Sequence, residues 1–146
     1  MQLAQLNIAQ MRGENMDDPI MARFKEQLDD VNVLAESSAG FVWRLKDETG
    51  NATDIQAFDD PKMIVNMSVW DNVSALEGFV FNGYHLEVMK NRREWFNKMA
   101  TVHMVLWWIP VGHIPTVEEA KARLDYLQAH GSTPYAFTFR QKFEAE

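Results

Sequence analysis

The stretch Thr101-Val-His-Met-Val-Leu-Trp-Trp-Ile109 is almost wholly apolar, rich in β-branched and aromatic side chains, and stopped by Pro110. A run of that length and composition suits a central strand buried on both faces. Strand alternation puts Val102, Met104, Leu106 and Trp108 on one face and His103, Val105, Trp107 and Ile109 on the other. Adjacent Trp107 and Trp108 therefore point to opposite sides, and only one of them can line a given cavity.

The rest of the chain supplies partners for such a strand. Residues 2–10 alternate, with Ala4, Leu6 and Ile8 opposite Leu3, Gln5, Asn7 and Ala9, which predicts a first strand. Asp18-Pro19 offers a carboxylate cap and a proline for the first turn of a helix that runs to Glu36 on the stripe Ile20, Phe24, Leu28, Val31 and Leu34. Residues 41–46 read as a half-buried second strand with Phe41, Trp43 and Leu45 on one face opposite Val42, Arg44 and Lys46, and residues 63–70 as a third. Between them, Gly50-Asn51 and Asp59-Asp60-Pro61 carry turn chemistry.

Asp71 or Asn72 can cap a helix over 73–82, stopped by Gly83, and a second helical piece is expected over 84–99. Thr116-Val-Glu-Glu119 is a capping box for a helix over 117–130 with the stripe Ala120, Leu124 and Leu127, stopped by Gly131. Residues 135–143 alternate again and predict a last strand at an edge. With no repeat or linker, residues 1–146 read as one α+β domain of β-α-β-β-α-β, ferredoxin-like order with an added C-terminal helix and strand.

Composition removes several function classes. The chain has 14 Lys+Arg against 21 Asp+Glu, a net charge of -7 that opposes contact with a phosphate backbone, so nucleic acid is not expected as a partner. Without a cysteine, thiolate nucleophiles, iron–sulfur clusters and thiolate zinc sites are excluded. No basic, apolar leader opens the chain and no apolar run reaches about 18 residues, so a cytoplasmic protein without membrane contact is expected. His-Glu-x-x-His, phosphate-cradling glycine loops, Gly-x-Ser-x-Gly and Gly-x-Gly-x-x-Gly are all missing, and four scattered histidines predict no metal cluster.

The block Ser68-Val-Trp-Asp-Asn-Val-Ser-Ala-Leu-Glu-Gly-Phe-Val80 is similar to the strand-to-helix passage of antibiotic-biosynthesis monooxygenase-like proteins. With Tyr84-His85, Arg92-Arg-Glu-Trp-Phe96, Leu106-Trp-Trp-Ile-Pro110, Gly112-His-Ile-Pro-Thr-Val-Glu-Glu-Ala120 and Ala136-Phe-Thr-Phe139, the chain resembles the domain-of-unknown-function 3291 family over nearly its whole length. That resemblance implies the dimeric α/β-barrel fold, in which two sheets from two subunits close against each other and helices cover the outer faces. It implies no settled activity. Relatives of the fold include cofactor-free monooxygenases, haem-degrading and chlorite-dismutase-like haem enzymes, and small-molecule-binding proteins.

Among residues that can carry chemistry, His85 comes first, as base, acid or axial ligand. At helical spacing it shares a face with Val88 or Met89, Arg92 and Phe96, a set able to hold an anionic, largely apolar ligand. The alternative is structural: His85 hydrogen-bonds near a helix start while Arg92 and Arg93 pair with Glu87 or Glu94. Asn7 fits the strand asparagine of haem-degrading monooxygenases. Their Trp and His do not follow, because the matching positions fall near Gly78-Phe79 and at Met89.

Trp43, Trp70, Trp95, Trp107 and Trp108 serve either as cavity lining or as core and interface. His103, if inward, needs a partner such as Asn7, Ser68 or a carboxylate, whereas His113 shapes its loop and His130 suits the dipole at a helix end.

These readings predict a homodimeric protein that binds an apolar or aromatic small molecule, with monooxygenase-like chemistry if it is an enzyme and no cofactor. His85, Arg92 and Asn7 are the candidate catalytic groups; Trp43, Trp70, Met89, Trp95, Phe96, His103, Trp107 and Trp108 are the candidate ligand contacts. Two alternatives stay open: a haem protein with His85 or His103 as axial ligand, and a non-catalytic dimerisation or binding module.

Overall fold

A computed structural model describes residues 1–46, 58–82, 86–87, 89–99 and 101–145. The alternating N-terminal segment forms β1 (Gln2–Gln10). Asp18 then caps a 3-10 turn, Pro19–Met21, by accepting the Ile20 N–H, and α1 (Ala22–Glu36) follows. The helix therefore starts later than its stripe suggests. Met21 is wholly buried while Ile20 is exposed, so the tight turn serves to sink Met21.

Next come β2 (Phe41–Arg44), β3 (Met63–Trp70) and α2 (Val73–Val80), the last capped by the Asn72 side chain on the Ala75 N–H. After α3 (Arg92–Trp95), the chain forms β4 (Met104–Ile109) and α4 (Val117–His130), whose Thr116 cap accepts the Glu119 N–H. The sheet order is β2-β3-β1-β4, antiparallel throughout, with Leu3 opposite Trp70 and Trp108, and Asn7 opposite Asn66 and Met104. This is the ferredoxin-like α+β plan.

Cover on the two faces differs. On one, Ala4, Leu6 and Ile8 of β1 join Val105, Trp107 and Ile109 of β4 beneath Ala120, Leu124 and Leu127 of α4. On the other, Leu3, Trp70 and Leu106 meet Ala35 of α1, Leu76 of α2 and Phe137. A third apolar group, Met11, Met21, Ile64 and Trp95, continues that face beneath the 3-10 turn and α3. In this chain α4 thus covers β1 and β4 on one sheet face.

Four expectations change. First, β4 is an edge strand of the sheet, not a central one. It reads as fully buried because helices cover both its faces and because Phe137 pairs with Leu106 through two backbone hydrogen bonds, of 2.7 and 2.9 Å. Second, that bridge is what residues 135–143 contribute at the edge. Tight turns pairing Thr133 with Ala136 and Thr138 with Gln141 keep the segment from lying along β4 as a continuous strand.

Third, a register shift between Phe41 and Trp43 breaks the period of two in β2. Phe41 packs edge-on against Trp70 while Trp43 and Leu45 join the α4 side. Fourth, within 84–99 Leu86, Glu87 and Met89 are helical, but Phe96 is extended. Burial of Trp95 brings the backbone to the end of β1, where Arg12 N–H donates to the Trp95 carbonyl and Asn97 N–H to the Gln10 carbonyl, and these bonds replace another helical turn. Gly83, offered as the stop for α2, lies outside the described residues, as do Gly50 and Asn51.

Candidate functional site

Between the sheet and the helices on its α1 side lies a cavity of about 180 Å³. Its floor is polar. Asn7 and Asn66 are register partners on β1 and β3, and Ser68 lies two residues along the same face. Buried Gln5 organises this floor from β1: its amide donates to Asn66 Oδ1 at 2.7 Å and to Ser68 Oγ at 2.8 Å. Ser68 Oγ also accepts the Trp70 indole N–H at 2.8 Å. The hydroxyl thus joins two buried donors that would otherwise lie unpaired in an apolar layer.

Apolar groups form the walls. Phe24, Leu28 and Val31 come from the inward stripe of α1, and Ile64 from β3. Phe79 of α2 stacks on Trp70 with ring centroids 5.3 Å apart and planes at 20°, and Phe96 stands edge-on to Phe24 at 5.0 Å. Offset and edge geometries of this kind hold rings in fixed orientation and leave flat surfaces facing the void.

Arg44 and Arg92 bring the positive charge. Arg44 pairs with Glu36 at 3.2 Å. Arg92, half-buried, makes no ion pair among the described residues. Gln27 of α1 also lines the space, with its side-chain oxygen buried and without a hydrogen-bond partner among the described residues.

Of the residues singled out in the sequence, Asn7, Trp70, Met89, Arg92 and Phe96 line this one cavity. Others lie elsewhere. Trp43 and Trp107 are on the α4 side of the sheet. Trp95 sits behind the wall, its ring 5.4 Å from that of Phe24. Trp108 is on the helix side but at the far end of β4, donating its indole N–H to the Phe143 carbonyl at 2.8 Å. His103 does not meet Asn7 or Ser68; it is half-buried just before β4, with Nδ1 3.4 Å from the Thr101 carbonyl. His85 lies outside the described residues.

Sequence reading passed over Gln27, Asn66, Ser68 and Phe79 as cavity residues. A signal for two of them exists: Asn66 and Ser68 share strand parity with Trp70, and the β1–β3 register sets them against Asn7 and Gln5. A polar stripe crossing two otherwise apolar strands is costly in a core and reasonable in a pocket floor.

No group of three or more His, Asp or Glu able to hold a metal occurs among the described residues. The cavity chemistry is that of amides, a hydroxyl, guanidinium groups and aromatic rings. Residues 2–146 match the family described as Domain of unknown function (DUF3291). The chain belongs to that family.

No curated protein matches this DUF3291 member. Solved structures do. PA3566 from Pseudomonas aeruginosa aligns with a TM-score of 0.53 at 11% identity over 75% of this chain and 95% of its own. Rv0793 from Mycobacterium tuberculosis gives 0.52 at 12% identity over 79% and 100%. SnoaB, a cofactor-independent oxygenase from Streptomyces nogalater, gives 0.50 at 15% identity over 75% and 93%. At such identities the likeness establishes a shared fold, the ferredoxin-like α+β plan, and leaves activity to the site itself.

Proposed function

We propose that this DUF3291 protein binds an apolar or aromatic small molecule in the cavity between the sheet and α1–α3 and acts on it as a cofactor-free, monooxygenase-like enzyme. The observation that carries the reading is the cavity's construction, with aromatic walls over a polar floor and a guanidinium without a carboxylate partner among the described residues. Asn7 is the hydrogen-bonding group toward the ligand and Arg92 stabilises negative charge on it. His85 remains the proposed proton-transfer group.

The chemistry suits a carbon acid. Deprotonation leaves an electron-rich carbanion that reduces dioxygen directly, and the balance CH2 + O2 → C=O + H2O needs no external reductant. Desolvation by the aromatic walls and charge stabilisation by Arg92 both lower the cost of the anion. SnoaB, a cofactor-independent oxygenase of the same fold, supports this choice of reaction class.

Cytoplasmic location and homodimer formation complete the reading. Because α4 already covers β1 and β4, a dimer would use a surface other than this part of the sheet. Light scattering that reports only monomer at micromolar concentration overturns the dimer.

Oxygen uptake with a panel of phenolic and benzylic carbon acids tests the activity. Turnover that falls at least tenfold in Asn7→Ala and Arg92→Gln, with unchanged Tm, supports it. Turnover indifferent to both substitutions, or no uptake across the panel, rejects it.

A further inference from the structure

Among the described residues that line the cavity, none is Asp or Glu, in a chain that carries 21 acids against 14 bases. Two cations line it nonetheless. Glu36 pairs with Arg44, which leaves Arg92 as a half-buried guanidinium with no ion pair among the described residues. Withdrawing a guanidinium from water without a counter-charge is unfavourable, and its planar fork suits a carboxylate through two parallel hydrogen bonds.

Volume sets the second limit. A cavity of about 180 Å³ is close to the roughly 150 Å³ void that accepts benzene and well below the roughly 300 Å³ at which pockets begin to hold drug-sized molecules. One ring with small substituents fills that volume. The third limit is the buried Gln27 oxygen, an acceptor with no protein donor among the described residues. A ligand hydroxyl would satisfy it.

Building on the small-molecule reading above, we propose that the cavity selects a single-ring aromatic carboxylate bearing a hydroxyl group, with the carboxylate on Arg92, the hydroxyl donating to Gln27 and the ring between Phe24, Phe96 and Trp70. The net charge of the protein opposes an anion at long range, so selection is local and rests on Arg92.

Calorimetric titration with 3- and 4-hydroxybenzoate, set against neutral p-cresol and 4-hydroxybenzyl alcohol, tests this. At least one hydroxybenzoate is expected to bind tenfold or more tightly than either neutral compound. Arg92→Gln should erase that preference by lowering hydroxybenzoate affinity at least tenfold, and Arg92→Lys should restore part of it. Gln27→Leu should bring hydroxybenzoate down to the affinity of benzoate.

Neutral compounds binding as tightly as the acids, or a preference that survives Arg92→Gln, overturns the carboxylate assignment while the cavity reading stands. Fused-ring acids binding where single-ring acids do not overturns the size assignment alone. Failure of every aromatic compound to bind overturns both this proposal and the small-molecule reading beneath it.

Discussion

Glu119, in the first turn of α4, accepts the indole N–H of Trp107 on β4 at 2.9 Å. Its other carboxylate oxygen meets His113 Nε2 at 2.7 Å, so one side chain fastens the helix to the strand and the preceding loop to the helix. Burial pushes the Glu119 pKa up, but hydrogen bonds from His113 and Trp107 and the charges of His113 and Arg123 outweigh it and hold the group below its ordinary 4.5. A folded-state value below the unfolded one contributes stability that is present above the ordinary Glu range and lost as pH falls through the folded value. Urea titrations between pH 3 and 7 should show stability declining below about pH 4.5. In Glu119→Gln the decline should flatten, with about 1 kcal/mol lost at neutral pH as a charged acceptor becomes a neutral one. An unchanged profile in the variant removes Glu119 as the source.

Gly40 joins α1 to β2 with φ +83°, and a Cβ there would collide with the Cβ of Ala75 in α2. Its carbonyl also accepts the Asp71 N–H at 2.8 Å, which fixes the approach of α2 to the sheet. Gly40→Ala combines left-handed strain with overpacking and should cost about 2–4 kcal/mol. Gly131→Ala would put a side chain at φ +77°, ψ -174°, a region essentially reserved for glycine, with no described atom within 4 Å of the added carbon, so about 1–3 kcal/mol is expected. Thermal unfolding of the pair separates the two contributions, and equal losses would show that the Ala75 contact relaxes freely.

Local signals marked the regular elements well. β1, β3 and α4 begin and end where alternation, turn residues and the capping box put them, because each is decided by its own residues. β4 was harder to place. Its uniform apolarity reports burial on both faces but cannot say whether a neighbouring strand or Phe137 lies at its edge.

The cavity needed even more non-local information. Asn7 gains its neighbours through the β1–β3 register, and Gln27 and Arg92 reach it from helices far apart in the chain. The one-residue irregularity after Phe41, which sends Trp43 to the α4 side, has no signature in the composition of β2.

Ser68 ties the polar floor together by receiving both the Gln5 amide and the Trp70 indole. Ser68→Ala keeps the Gln5–Asn66 bond but leaves the Trp70 N–H buried without an acceptor. A loss of about 1–3 kcal/mol is expected, with a shift in Trp70 emission that Ser68→Thr, which retains the hydroxyl, reverses at least in part. Stability unaffected by the alanine would mean that the indole finds another acceptor.

Leu124 is almost fully buried in the layer between α4 and the sheet, on the face away from the cavity. Truncation to alanine removes core contacts and leaves a void, so Leu124→Ala should cost about 3 kcal/mol. The sheet separates this layer from Asn7 and Arg92, and sites without shared partners behave nearly additively. Ligand affinity measured well below the variant's Tm should therefore match that of the parent protein, and the double variant Leu124→Ala with Arg92→Gln should show the sum of the two separate effects. A Leu124→Ala protein that stays folded yet loses binding would show that α4 positions the cavity through the sheet, and that the two faces act as one unit.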